Sequence, residues 1–143
     1  MMIQEPMINR KMRLHFTAEE AYSGLAEVEG IMRLEPRALV LEFQVKDSIF
    51  GVIKSKAKDL RIPFEELEEV EYKVNWRMSR FEIYVQSMHL LGQFPGSKDG
   101  RITLKIKRKY KQNAKEFSSH LNLRLSEYRL SSMDDGEDSS FLY

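Results

Sequence analysis

The side chains best suited to chemistry are few. Histidines stand at His15, His89 and His120, and histidine is the side chain that changes charge near neutral pH. No two have the spacing of a metal pair, and none sits in an HExxH helix. Glu69 and Glu71 lie two positions apart, which in a strand puts both carboxylates on one face, ~7 Å from each other. Such a pair can divide acid and base roles, but a solvated strand edge accounts for it more simply. Asp134-Asp135-Gly136-Glu137-Asp138 lacks the alternation and distal glutamate of a calcium loop. Nucleophile elbows, phosphate loops and dinucleotide fingerprints are missing. There is no cysteine, which removes thiol catalysis, disulfides and cysteine zinc sites. The expectation is a non-catalytic protein that uses no cofactor and no metal.

Charge is the remaining chemistry. The stretch Arg101–Lys111, RITLKIKRKYK, carries six basic residues and no acid. Its alternation puts Ile102, Leu104 and Ile106 inward, leaving Thr103, Lys105, Lys107 and Lys109 as an outward row. Lys54, Lys56, Lys58 and Arg61 form a second basic group, and Glu65, Glu66, Glu68, Glu69 and Glu71 an opposing acidic one. Net charge is +1, so any electrostatic partner must be met by a local patch rather than a global field. A surface with two poles suits a charged protein partner or head-to-tail self-association. Outward lysines also keep a strand edge soluble. Trp76, Arg77, Met78 and Arg80 form a loop that suits an anionic membrane surface. Nucleic acid is disfavoured, since only Tyr84 and Tyr110 lie near the lysines to stack on bases.

At 143 residues the chain fits one domain with a sizeable core. No run approaches ~18 apolar residues, and the opening MMIQEPMINRKMR lacks the apolar stretch of a signal peptide. A cytoplasmic location is expected.

Periodicity predicts the elements that hold these charges. Residues 1–15 read as a loosely ordered arm, 16–130 as the domain and 131–143 as an acidic, disordered tail. Thr17-Ala18-Glu19-Glu20 has capping-box spacing, which predicts a helical turn near Tyr22. From Leu25 the period is two. Ala26, Val28, Gly30, Met32 and Leu34 face one way, then Leu39, Leu41, Phe43 and Val45 beyond a turn at Glu35-Pro36-Arg37, which together predict a hairpin. Further strands are expected to end at Lys58, Leu60 and Ile62, and to hold Val70, Tyr72 and Val74, then Phe81, Ile83 and Val85. A short sixth spans His89–Phe94, and a seventh is the basic stretch. The period then becomes helical, with Asn113 and Glu116 as cap and Ala114, Phe117, Leu121, Leu125 and Tyr128 as the buried stripe of a helix ending near Leu130.

Three segments carry a resemblance: GLAEVEGIMRLEPRALVLEFQVKD, KDLRIPFEELEEVEYK and FPGSKDGRITLKIKR. With the helix that follows, they resemble the pleckstrin-homology (PH) superfold, specifically uncharacterised bacterial PH-like domains. The similarity spans about residues 25–130 and lies in a pattern rather than in fixed residues. It implies an α+β protein, mainly β: a split barrel of two near-orthogonal antiparallel sheets with about seven strands, capped by one C-terminal helix. Lipid-binding members grip inositol phosphates with a basic cluster on the first hairpin. Here that turn is Leu34–Ala38, with one arginine beside a glutamate, and the cluster is absent. The resemblance therefore implies an interaction module or scaffold that binds a protein partner or itself, the alternative being a peripheral membrane adaptor. The candidate binding surface is Lys54, Lys56, Lys58, Arg61, Trp76, Arg77, Arg80, Lys105, Lys107 and Lys109.

Overall fold

Alternating apolar residues build most of the molecule. A computed structural model describes residues 13–19, 26–47, 50, 52, 56–95 and 97–141, with side chains through Met133. Among the described residues eight strands are formed: β1 (Arg13–Glu19), β2 (Ala26–Glu35), β3 (Ala38–Asp47), β4 (Lys58–Pro63), β5 (Leu67–Val74), β6 (Ser79–Val85), the two-residue β7 (Ser97–Lys98) and β8 (Arg101–Ile106). Two helices accompany them, α1 (Met88–Gly92) and the C-terminal α2 (Lys111–Phe141), with short 3-10 turns at Phe64–Glu66 and Arg108–Tyr110. The protein is thus mainly β with one long C-terminal helix.

The antiparallel sheet runs β4-β3-β2-β1-β8-β6-β5, with β7 paired to β8. It consists of two meanders that meet where β1 touches β8 through the single register pair Thr17↔Lys105. Inward residues of both meanders, including Leu14, Phe16, Val28, Met32, Leu41, Phe43, Ile62, Phe81, Ile83, Ile102 and Leu104, form one core. The stripe of α2 closes it. Ala114, Phe117, Leu121 and Leu125 are buried, Phe117 meets Phe81 edge-on, and Tyr128 meets Phe64 likewise. Phe64 follows β4 and Glu68 belongs to β5, the two ends of the strand order. Arg129 of the helix donates to the Glu68 carbonyl at 2.9 Å, which occupies a backbone acceptor on an outer strand.

Two local geometries are demanding. Gly30 in β2 lies so near β3 that a β-carbon there would overlap the Glu42 carbonyl oxygen and come within 2.8 Å of the Phe43 Cα. Only hydrogen fits in that space. Between β7 and β8, Asp99 and Gly100 both have positive φ, 54° and 78°, the signature of a tight two-residue hairpin.

Several sequence expectations are corrected. Leu14, Phe16 and Ala18 alternate inward as β1, so the ordered strand begins inside the expected arm, and Thr17–Glu19 is strand rather than a helical turn. Seven-residue pairing with β2 outweighs a capping-box spacing that is only local; Tyr22 lies outside the described residues. The expected sixth strand, His89–Phe94, is instead α1. The Ser87 side chain accepts from the Leu90 amide at 3.2 Å, and Leu91 and Phe94 are buried at the i, i+3 spacing of a helical turn. The basic strand stops at Ile106. The 3-10 turn at Arg108–Tyr110 runs straight into α2, so helical backbone starts before Asn113, which is interior to the helix rather than its cap. That helix continues past Leu130 to Phe141. Val74, grouped with Val70 and Tyr72 on one strand, is 51% exposed because it ends that strand beside the hairpin turn.

Candidate functional site

The outward faces of the strands carry charge of both signs, and the fold pairs much of it internally. On the β5–β6–β8–β1 face, Glu82 has a side-chain exposure of only 5% and is surrounded by donors. Lys73 approaches it at 3.0 Å and Arg80 at 3.0 Å, and the Tyr84 hydroxyl donates to it at 3.1 Å. The Lys73 ammonium, with Arg80 and Tyr84, holds the Glu82 carboxyl down at about 2, against a burial that pushes it up. Lys73 in turn is raised by Glu82. Lys105 of β8 bonds Glu19 of β1 across the junction of the meanders, and this ammonium lowers the Glu19 carboxyl. Opposite charges on neighbouring strands stabilise a sheet at close range.

The other meander behaves alike. Arg61 meets Glu35 at 3.3 Å, and Arg33 contacts Glu35, Glu42 and Asp59. Lys46 is raised by its hydrogen bond to Glu29. A cleft of about 440 Å³ crosses the outside of β1, β2 and β3, bounded by His15, Glu29, Glu42, Gln44, Lys107 and Tyr110 among others. Its carboxylates are the ones already bonded to Lys46 and Arg33, and His15 stacks on Tyr110 at 4.9 Å. Among the described residues no group of three metal-ligating side chains stands together, and no helix is long and apolar enough to cross a membrane.

The lysines expected to form one outward row have three different surroundings. Lys105 is tied to Glu19, Lys107 borders the cleft, and Lys109 lies over the Tyr110 ring at 5.2 Å. Lys56 and Lys58 are exposed at the start of β4, and that strand lies three strands away from β1 and four from β8 in the sheet order. Lys54 lies outside the described residues. Arg80 and Arg61 are engaged by Glu82 and Glu35.

The remaining two candidates, Trp76 and Arg77, belong to a different arrangement. They occupy the turn between β5 and β6. The Asn75 side chain fixes this turn by accepting from the amides of Arg77 at 2.9 Å and Met78 at 2.7 Å, while the Asn75 amide donates to the Met78 carbonyl at 3.2 Å. The turn holds apolar surface in water: Trp76 is 80% exposed and Met78 40%. The Arg77 guanidinium sits 4.7 Å from the Trp76 ring centre, a cation–π contact. Because Ser79 of β6 pairs with Ile106 of β8, this turn lies beside the chain that leaves β8. Trp76, Arg77, Met78 and Ser79 consequently line one small depression with Arg108 and Lys111.

Arg108 and Lys111 escape a reading by alternation, since they follow the last strand residue and precede the helical stripe. The available signal was antiparallel register: if Arg80–Tyr84 pairs with Arg101–Lys105, then residues just before one strand meet residues just after the other. No protein-family model, curated protein or solved structure matches this chain, and its candidate site rests on this geometry.

Proposed function

We propose that the protein is a non-catalytic interaction module of PH-like type, and that it meets its partner with the end of the sheet formed by the β5–β6 turn and the entry to α2. One observation carries this reading: Arg108 and Lys111 have no acidic partner among the described residues, and they border a depression also lined by the exposed Trp76. Lys73, Arg80, Lys105, Arg61 and Arg33 on the strand faces are held by neighbouring carboxylates, and disengaging them would cost those bonds. Charges at this end are available at no such cost. Exposed aromatic and arginine side chains placed together are the composition of binding hot spots. The PH-like assignment is supported by the strand order, in which two meanders join through the first strand and a terminal helix packs over the β4–β5 side.

The test combines mass in solution with affinity capture at low and high salt, for the natural chain and for Trp76→Ala with Arg108→Glu. Self-association or retention of a partner by the natural chain, lost in the variant, is the expected result. A strict monomer that retains nothing at low salt, or retention indifferent to both substitutions, defeats the reading.

A further inference from the structure

The helix α2 carries more apolar surface than the core uses. Its buried stripe runs through Ala114, Phe117, Leu121 and Leu125, and it still meets the sheet at Tyr128, on Phe64, and at Arg129, on the Glu68 carbonyl. From there it runs on to Phe141. A second apolar set lies on its outside: Leu123, Leu130 and Met133 are 59%, 60% and 59% exposed. At 3.6 residues per turn, Leu123 stands on the side of the helix opposite Leu121 and Leu125, and Leu130 lies two turns further along the same line. The steps from Leu123 to Leu130 and on to Met133 are those between the a and d positions of a heptad. The exposed Ser126 fills the d position between the two leucines. A helix that only covers a core needs one apolar stripe; this one has two, on opposite sides.

The charges beside the outer stripe select its occupant. On one flank, at g positions, stand Lys115, Asn122 and Arg129, all exposed. On the other, at e positions, stand the half-buried His120 and the exposed Glu127, and the next residue of that register, 134, is an aspartate. In a parallel helix pair the g flank of one helix faces the e flank of the other, whereas in an antiparallel pair each flank faces its own kind. Parallel pairing thus sets a basic flank against an acidic one on both sides of the seam, with Arg129 opposite position 134 of the other copy. Antiparallel pairing sets acid against acid. We propose that the protein self-associates through the outer face of α2, the helices of two copies lying parallel along Leu123, Ser126, Leu130 and Met133. The rest of the domain does not obstruct this, because each sheet packs on the opposite side of its own helix. The seam is separate from the β5–β6 turn, so a dimer carries two copies of that contact surface and holds a repeated partner more tightly by avidity.

The mass of the full chain is measured by sedimentation equilibrium over a concentration series up to about 1 mM. A monomer–dimer equilibrium is expected, and Leu123→Ser with Leu130→Ser should weaken it about 100-fold or more, since the apolar surface of both leucines is withheld from each copy. Both side chains are exposed in the monomer, so its denaturation midpoint should stay unchanged. The chain contains no cysteine, so Ser126→Cys reports orientation. In parallel register each new thiol meets its own copy, and mild oxidation should give a covalent dimer. Lys98→Cys, on the β7–β8 hairpin and exposed, should give none. A strict monomer throughout the series, or a dimer indifferent to the leucine pair, overturns the proposal. A dimer that needs the leucines but leaves Ser126→Cys uncrosslinked overturns the parallel pairing. Trp76→Ala with Arg108→Glu should leave the mass unchanged, and affinity capture then reads the β5–β6 surface by itself, so either reading can fail without the other.

Discussion

Two regions of this molecule carry similar side chains and put them to different use. On the outer face of β5, β6, β8 and β1, basic and acidic residues face one another across strands, and Glu82 gathers Lys73, Arg80 and Tyr84 around one carboxylate. Beside the turn between β5 and β6, Arg77, Arg108 and Lys111 gather around no carboxylate among the described residues that line their depression. The first region is a set of closed electrostatic contacts, and the second is an open one. Charge density along a sequence does not separate them. What separates them is strand register, which decides whether a lysine meets a glutamate or meets water.

This contrast can be broken at its foundation, in the middle, or at its edge. The largest effect is expected at Phe81, which stacks on Tyr72 at 4.8 Å and meets Phe117 at 6.1 Å. It anchors β6, the strand that bears Glu82 and starts at Ser79, so it supports both regions. Phe81→Ala should cost about 3–5 kcal/mol, read by chemical denaturation, and should weaken both regions together. A loss below about 1 kcal/mol would mean that the two sites do not share this support.

Glu82→Gln comes next and touches only the closed region. It should cost about 1–3 kcal/mol at neutral pH, with affinity capture unchanged. The pH dependence follows from a carboxyl held below its ordinary 4.5, at about 2. A group depressed in the folded state contributes stability in full above its unfolded value and loses it as pH falls through its folded value. The natural chain's advantage over Glu82→Gln should therefore be full above about 4.5 and shrink as pH falls towards about 2. Denaturation curves across that range check this, and an advantage constant down to the acid end would contradict it.

The smallest effects sharpen the comparison most. Lys105→Gln removes an exposed cross-strand pair and should cost about 0.2–1 kcal/mol. Arg108→Gln removes a charge that has no ionic partner among the described residues and should stay within about 0.5 kcal/mol of the natural chain. Binding should rank them the other way round, with Arg108 mattering more. The same order in both assays would erase the distinction between closed and open charge.

The sequence made much of this framework legible, and its failures have a common cause. Alternate residues of the period-two runs, Ala26 to Leu34, Leu39 to Val45, Phe81 to Val85 and Ile102 to Ile106, are expected on the core side, where they are buried or, for Gly30 and Val45, partly so. The helical stripe from Ala114 to Leu125 is likewise buried. A count of seven long strands also comes out, though by two errors that offset each other: β1 was assigned to an arm and a helical turn, and α1 was assigned to a strand. Both segments are short, and a segment of six or seven residues has too few repeats for its period to outweigh a local signal such as a capping-box spacing. The site suffered from a different omission. Trp76 and Arg77 are visible as an unusual loop, but Arg108 and Lys111 join them only through the β6–β8 pairing, a relation between distant segments that periodicity along one segment does not contain.

The junction of the two meanders has a further consequence, for the route by which the chain reaches this shape. Hairpins such as β2–β3 and β5–β6 close over short turns. The Lys105–Glu19 bond instead links residues 86 positions apart, and closing a loop of that length costs about 4 kcal/mol of chain entropy. Contacts of such separation slow folding, because that entropy is lost before the contacts repay it. Lys105, which in the sequence looks like part of a binding tract, belongs to the contact that turns two independent ribbons into one closed molecule.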